Sequence, residues 1–169
     1  SERIMLAKIL WIADKYKEQP FWFTSQLDWR GRQYPVSLAL HPQGPSLCKG
    51  LLLFSRGKKI KGATALMWLG VAVANAWGHD KLSFVARMEW VADNAEMLRA
   101  VAEDPYSNTE WWDADSPWEA LAGAIEITSY ADDPHNFVSH LPIHQDATQS
   151  GLQILSLLLR DPEGAAATN

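Results

Sequence analysis

Residues 62–77, GATALMWLGVAVANAW, run for 16 positions without a charged side chain. A membrane span needs about 20 predominantly apolar residues. This run is shorter and contains Thr64 and Asn75, so it reads as a helix buried inside a protein. A helix that is apolar on all sides needs neighbours on all sides, and the flanking sequence supplies them. Arg3–Lys17 reads as a helix with Pro20 just beyond it, apolar on more faces than a chain of this size can cover. Phe84, Met88, Val91, Ala95, Leu98 and Ala102 recur at helical spacing behind a Ser83 N-cap, which predicts one helix to about Glu103. Ser116, Pro117 and Glu119 read as an N-cap, an N1 proline and a capping-box partner, opening a helix that Asp132, Asp133 and Pro134 end. Ser150–Arg160 reads as a buried helix stopped by Asp161–Pro162.

Extended structure is confined to two places. Phe21–Leu40 is rich in aromatic and β-branched residues and turns at Arg30–Gly31, which suggests a hairpin. Val138–Asp146 reads as a strand. Pro42–Pro45 and the Trp-bearing stretch Asp104–Asp115 read as loops. The expected fold is a predominantly helical α+β domain with a small antiparallel set of strands over Trp29–Val36 and Leu141–Asp146. The segments divide as 1–18, an N-terminal helix; 19–62, a strand and loop region; 63–134, helical; and 135–169, a strand with its following helix.

Cys48 is the only cysteine, which excludes a disulfide scaffold and Cys-rich metal modules. Lys8, Asp14 and Lys15 interrupt the first apolar stretch, so no signal peptide is read there. A soluble, intracellular chain is the expectation. Net charge is −5, but it is unevenly placed. Residues 1–62 hold 11 Lys/Arg against 4 Asp/Glu, and residues 63–169 hold 4 against 16. Such asymmetry suits one surface that meets an anion, or two solvated faces of opposite sign.

Three segments could carry chemistry. In Asp28-Trp29-Arg30-Gly31-Arg32, two guanidinium groups flank a glycine; their forked donors suit phosphate, and Trp29 could stack on a base. The plain alternative is a surface turn with an Asp–Arg ion pair. Lys49 follows a glycine-containing loop but lacks the Walker spacing, and alone reads as a solvated lysine. In His140-Leu141-Pro142-Ile143-His144-Gln145-Asp146, an aspartate at a strand end could ligate Mg²⁺. On a strand, His140, His144 and Asp146 would share one face, which leaves a His/His/Asp metal site open. An N-cap role for Asp146 is the plain alternative. Arg56, Lys58, Lys59 and Lys61 form a basic run that reads as a solvated face. The nine tryptophans read mostly as core.

The segments FWFTSQLDWRGRQYPVSLALHPQGPSLCKGLL, WWDADSPWEALAGAIE and HLPIHQDATQSGLQILSLLLRD, in that order, resemble the phage-type and mitochondrial single-subunit DNA-directed RNA polymerases. The resemblance runs from Arg3 to Asn169. It implies part of the palm of a right-hand polymerase fold and a nucleotidyltransferase that extends RNA on a DNA template from ribonucleoside triphosphates. In the family's D-x-x-x-S-G-x-Q pattern the aspartate binds catalytic Mg²⁺; here the pattern falls on Asp146, Ser150, Gly151 and Gln153, and the resemblance implies nucleotide or nucleic-acid binding by Ser150 and Gln153. Ala147 stands where the family has glycine, whose carbonyl can reach the metal. Gln149 stands where many members have cysteine. Asp28–Arg32 matches the family motif unchanged. The resemblance implies that Arg32 lies near the primer end and incoming nucleotide, Trp29 and Arg30 on the RNA–template side, and Lys49 beside the active centre, offsetting phosphate charge.

A two-metal centre needs at least two carboxylates within reach of ions about 4 Å apart. Asp146 is one. The family's second motif, an aspartate after a histidine, and its fingers helix are not found here, so the chain reads as a fragment that is inactive alone. A non-catalytic nucleic-acid-binding module is the alternative, followed by the His/His/Asp hydrolase. Asp28-Trp29 points towards a phage protein in a bacterial cytoplasm rather than the mitochondrial matrix. The sequence leaves the oligomeric state open.

Overall fold

A computed structural model of the chain describes residues 2–144 and 150–168. Eight helices are present among them: α1 (Glu2–Tyr16), α2 (Ser46–Leu51), α3 (Gly62–Ala76), α4 (Phe84–Asp93), α5 (Ala95–Glu103), α6 (Pro117–Asp132), α7 (Ser150–Leu159) and α8 (Pro162–Ala167). A 3₁₀ turn covers Glu110–Asp113. The strands are short: β1 (Ser25–Leu27) pairs antiparallel with β2 (Gln33–Pro35), and β3 (Lys58–Lys59) with β4 (Val138–Ser139). The fold is therefore a predominantly helical α+β arrangement with two small antiparallel sheets.

The uncharged run forms α3 at the centre, burying Leu69, Gly70, Val71, Val73 and Ala74. Val73 and Ala74 join Val91, Leu98, Val101, Trp111 and Ala124 in the main core. A Cβ at Gly123 would lie 3.3 Å from Val73 Cγ2, so the glycine lets α6 approach α3 closely. A smaller core gathers Ile9 of α1, Leu40, Cys48 of α2 and Leu52. Each fully buried aliphatic side chain contributes about 1.5–3 kcal/mol.

Several expectations are corrected. The helix expected over Phe84–Glu103 breaks at Asn94, whose side-chain amide donates to Trp90 O at 2.8 Å. An asparagine side chain competes for the backbone carbonyls that a continuous helix uses. Ser83 caps α4 as expected, accepting from Ala86 N. Ser116 makes no side-chain cap for α6; its N–H donates to Ala76 O at 2.9 Å instead. The hairpin strands begin at Ser25 and Gln33, so Trp29 lies in the turn rather than on a strand. Of the strand expected at Val138–Asp146, residues 138–144 are described, and among these only Val138–Ser139 is regular strand. Its partner β3 is two residues long, and Pro142 has no N–H to pair. One further bond, Phe54 N to His140 O at 2.9 Å, extends the ribbon. Residues 162–167 form α8, capped by the Asp161 carboxylate, where no helix is legible in the sequence.

The amphipathic surplus is large. Helix α7 exposes Leu152, Ile154, Leu155, Leu157, Leu158 and Leu159, the last three by 69–74%, and so is not the buried helix expected. Only Ile9 of α1 is buried, while Ile4, Leu6, Leu10 and Trp11 are exposed. The tryptophans are not mostly core as expected: Trp11, Trp22, Trp29, Trp112 and Trp118 are exposed, Trp111 is buried, and Trp77 and Trp90 pack against it. The accessible surface is 11979 Å², against roughly 8,000 Å² for a compact monomer of this mass. No described helix is long and apolar enough to cross a membrane.

Candidate active-site surface

The Asp28–Arg32 turn is organised by its aspartate. One carboxylate oxygen, Oδ1, accepts from Arg30 N at 2.8 Å and Arg32 N at 2.9 Å. The other, Oδ2, takes Arg30 Nε and Nη2, both at 3.1 Å. Gly31 N donates to Asp28 O at 3.0 Å, and Gly31 holds φ +76°, a left-handed backbone that glycine adopts without strain. The Arg32 amide bond, followed by desolvation in the opposite sense and then the Arg30 bonds, leaves the Asp28 carboxyl below its usual range. Arg30 thus spends its charge inside the turn and lies 5.3 Å from the Trp29 ring centroid. That is the ion-paired surface turn of the plain alternative. Trp29 is 90% exposed. Arg32 is exposed, and no ion pair engages it among the described residues.

Lys49 sits near the end of α2. Helix α2 packs on α6, and its Cys48 is buried on the other side in the smaller core. Lys49 lines a cleft of about 130 Å³ together with Asn75 of α3, Ser116 and Glu119 at the start of α6, and Leu141 and His144. Asn75 Oδ1 is buried here with no hydrogen-bond partner among the described residues. The cleft therefore joins Lys49 to the segment that leads to Asp146. Arg32 is not among its lining residues.

The segment Val138–His144 is pinned from both sides. Glu126 Oε1 on α6 accepts from Ser139 Oγ at 2.5 Å and His140 N at 3.2 Å. On the opposite side His140 Nδ1 lies 2.6 Å from Phe54 O. A Cβ at Gly57 would come within 2.5 Å of His140 Nε2, so the ring rests directly on that glycine. His140 has a packing role, which weighs against the His/His/Asp site. Among the described residues, no group of three or more His, Cys, Asp and Glu side chains could hold a metal ion. Asp146 and Ala147 lie outside the described residues. The described side chains do not by themselves make a Mg²⁺ centre.

Ser150 opens α7. Gln153 Nε2 donates to Thr168 O, tying α7 to the end of α8. Two residues that organise this surface, Ser46 and Glu126, escape sequence reading. Ser46 accepts from backbone 72 and 73 positions away, and Glu126 from a hydroxyl and an amide 13 and 14 positions away; no local spacing signals such bonds.

An Asp-organised DWRGR turn and a lysine-lined cleft thus stand on one predominantly helical scaffold. The DNA-dependent RNA polymerase family model matches residues 59–169, and the chain belongs to that family. It is 39% identical to the mitochondrial DNA-directed RNA polymerase of Neurospora crassa over all of this chain and 12% of the relative. It is 40% identical to the Schizosaccharomyces pombe mitochondrial enzyme over 94% of this chain and 14% of the relative. It is 39% identical to T7 RNA polymerase of Escherichia phage T7, over all of this chain and 19% of the relative. The chain thus spans less than a fifth of the length of these relatives.

Proposed function

We propose that this chain is a palm segment of a DNA-directed RNA polymerase, which transfers ribonucleotides to an RNA 3′ end on a DNA template. The observation that carries the reading is the shared cleft. Lys49 on α2 and His144, two residues before Asp146, line the same cavity although 95 positions separate them in the chain. A lysine there offers a point charge on a flexible stem, suited to triphosphate oxygens. Asp146 would supply one carboxylate to hold Mg²⁺, which when bound would supply Lewis-acid chemistry for phosphoryl transfer. The second carboxylate comes from outside this chain. Arg32, exposed at the hairpin tip and without an ion pair among the described residues, serves nucleotide or primer contact. Trp29 and Arg30 present a stacked face to the RNA–template side. Ser150 and Gln153 complete the pattern that begins at Asp146, and Gln153 works by holding α7 against α8. The relatives include mitochondrial, phage and chloroplast enzymes; a phage-infected bacterial cytoplasm, or else a mitochondrial matrix, is the compartment proposed.

The test uses the full-length polymerase that carries this chain. Asp146→Asn abolishes RNA synthesis while DNA binding persists, and Lys49→Ala raises KM for ribonucleoside triphosphates. Full activity in Asp146→Asn refutes the assignment. The isolated 169 residues synthesise no RNA under the same conditions.

A further inference from the structure

Helix α2 is six residues long. A helix that short has no stability of its own in water, because nucleation costs more than a few bonds return. Its placement must come from what it touches. Ser46, in its first turn, does not cap α2. Its hydroxyl oxygen turns outward and accepts from Trp118 N at 3.2 Å and Glu119 N at 3.3 Å. These are N–H groups of the first turn of α6, which have no partner within their own helix. The α6 cap is thus supplied by a residue 72 positions earlier, while Ser116, the local candidate, contributes no side-chain bond.

Gly50 makes a second, independent contact with the same turn. A Cβ there would lie 2.6 Å from Trp118 O and 3.0 Å from Trp118 Cβ. Residues i and i+4 share one face of a helix, so Ser46 and Gly50 form a two-point dock against α6. Lys49 lies between them, beside the cleft that Glu119 also lines. Cys48, fully buried, closes off the other side.

We propose that Ser46 is a positioning residue for Lys49, its hydroxyl fixing α2 on the α6 N-terminus so that the Lys49 amine meets nucleotide phosphates. Gly50 serves the same docking by permitting backbone contact. The inference rests on the reading of Lys49 as a phosphate-binding residue.

The experiment measures steady-state RNA synthesis by the full-length polymerase across a ribonucleoside triphosphate series. Ser46→Ala raises KM about fivefold, the effect of one net hydrogen bond, with kcat per active site retained. Ser46→Thr, which keeps the hydroxyl, restores KM. The double variant Ser46→Ala/Lys49→Ala is no worse in KM than Lys49→Ala alone, since residues acting through one another are not additive. Should Ser46→Ala fold poorly, Gly50→Ala tests the same dock by steric contact and raises KM in the same way. A purely structural role for Ser46 lowers the active fraction and leaves KM unchanged, which overturns the proposal. So do independent, additive effects of Ser46→Ala and Lys49→Ala. An unchanged KM in Lys49→Ala removes the underlying reading, and the proposal with it.

Discussion

Glu126 Oε1 stands 2.5 Å from Ser139 Oγ, joining the middle of α6 to the two-residue strand β4. The same oxygen takes the His140 amide. Helix α6 therefore holds both walls of the lysine cleft: Ser46 docks at its first turn, and the segment leading to Asp146 hangs from its third.

Removing that carboxylate loosens β4. Glu126→Ala leaves the Ser139 hydroxyl and His140 N–H without their acceptor. The expected result is faster amide exchange at His140 and Phe54, with exchange at Leu98 unchanged. Glu126→Gln keeps an acceptor oxygen and shows an intermediate rate. Equal exchange in all three proteins contradicts the pinning role.

Arg32 and Arg30 are predicted to differ in salt response. Arg30 is neutralised by Asp28, whereas Arg32 has no ion pair among the described residues. In the full-length polymerase, Arg32→Ala lowers the slope of log affinity for an RNA–DNA template against log salt by about 1. Arg30→Ala changes that slope less. Nucleic-acid binding titrated over a salt series separates the two.

The Asp28 turn is acid-sensitive in a defined direction. Its carboxyl is held below the usual range, first by the Arg32 amide. A group whose folded pKa is depressed stabilises the fold above its unfolded pKa. That contribution fades as pH falls through the folded value. The Arg30 and Arg32 amide resonances shift together with a midpoint below that of an ordinary aspartate. Asp28→Asn removes this titration. A midpoint at the ordinary value contradicts the bonded carboxylate.

The main core predicts a large cost for one truncation. Leu98 is 1% exposed and belongs to the core of α3, α5 and α6. Leu98→Ala costs about 2–5 kcal/mol. Chemical denaturation read by tryptophan fluorescence measures it. A change below about 1 kcal/mol shows that the site collapses around the smaller side chain.

Much of the helical scaffold was legible because apolar periodicity is local. α1, α3 and α6 appear at nearly their expected bounds, and Ser83 caps where its spacing predicts. The DWRGR turn was legible because aspartate and glycine carry local backbone chemistry. The break at Asn94 was hidden, since it depends on one side chain turning back to Trp90 O. β4 is shorter than its alternation suggests, because its partner β3 offers only two residues to pair with. α2 is not legible because six residues carry too little local helical signal to stand out. The exposure of the α7 leucines could not be read either. An apolar helix looks the same in sequence whether its cover lies within these residues or beyond them.

Cys48 has a practical consequence. Its side chain is fully buried on α2, beside Lys49, and it is the only thiol in the chain. A maleimide meets no sulfur while α2 stays docked and reacts once it lifts away. In this segment alkylation is therefore a chemical clock for the opening of the lysine cleft, read by mass without any introduced label.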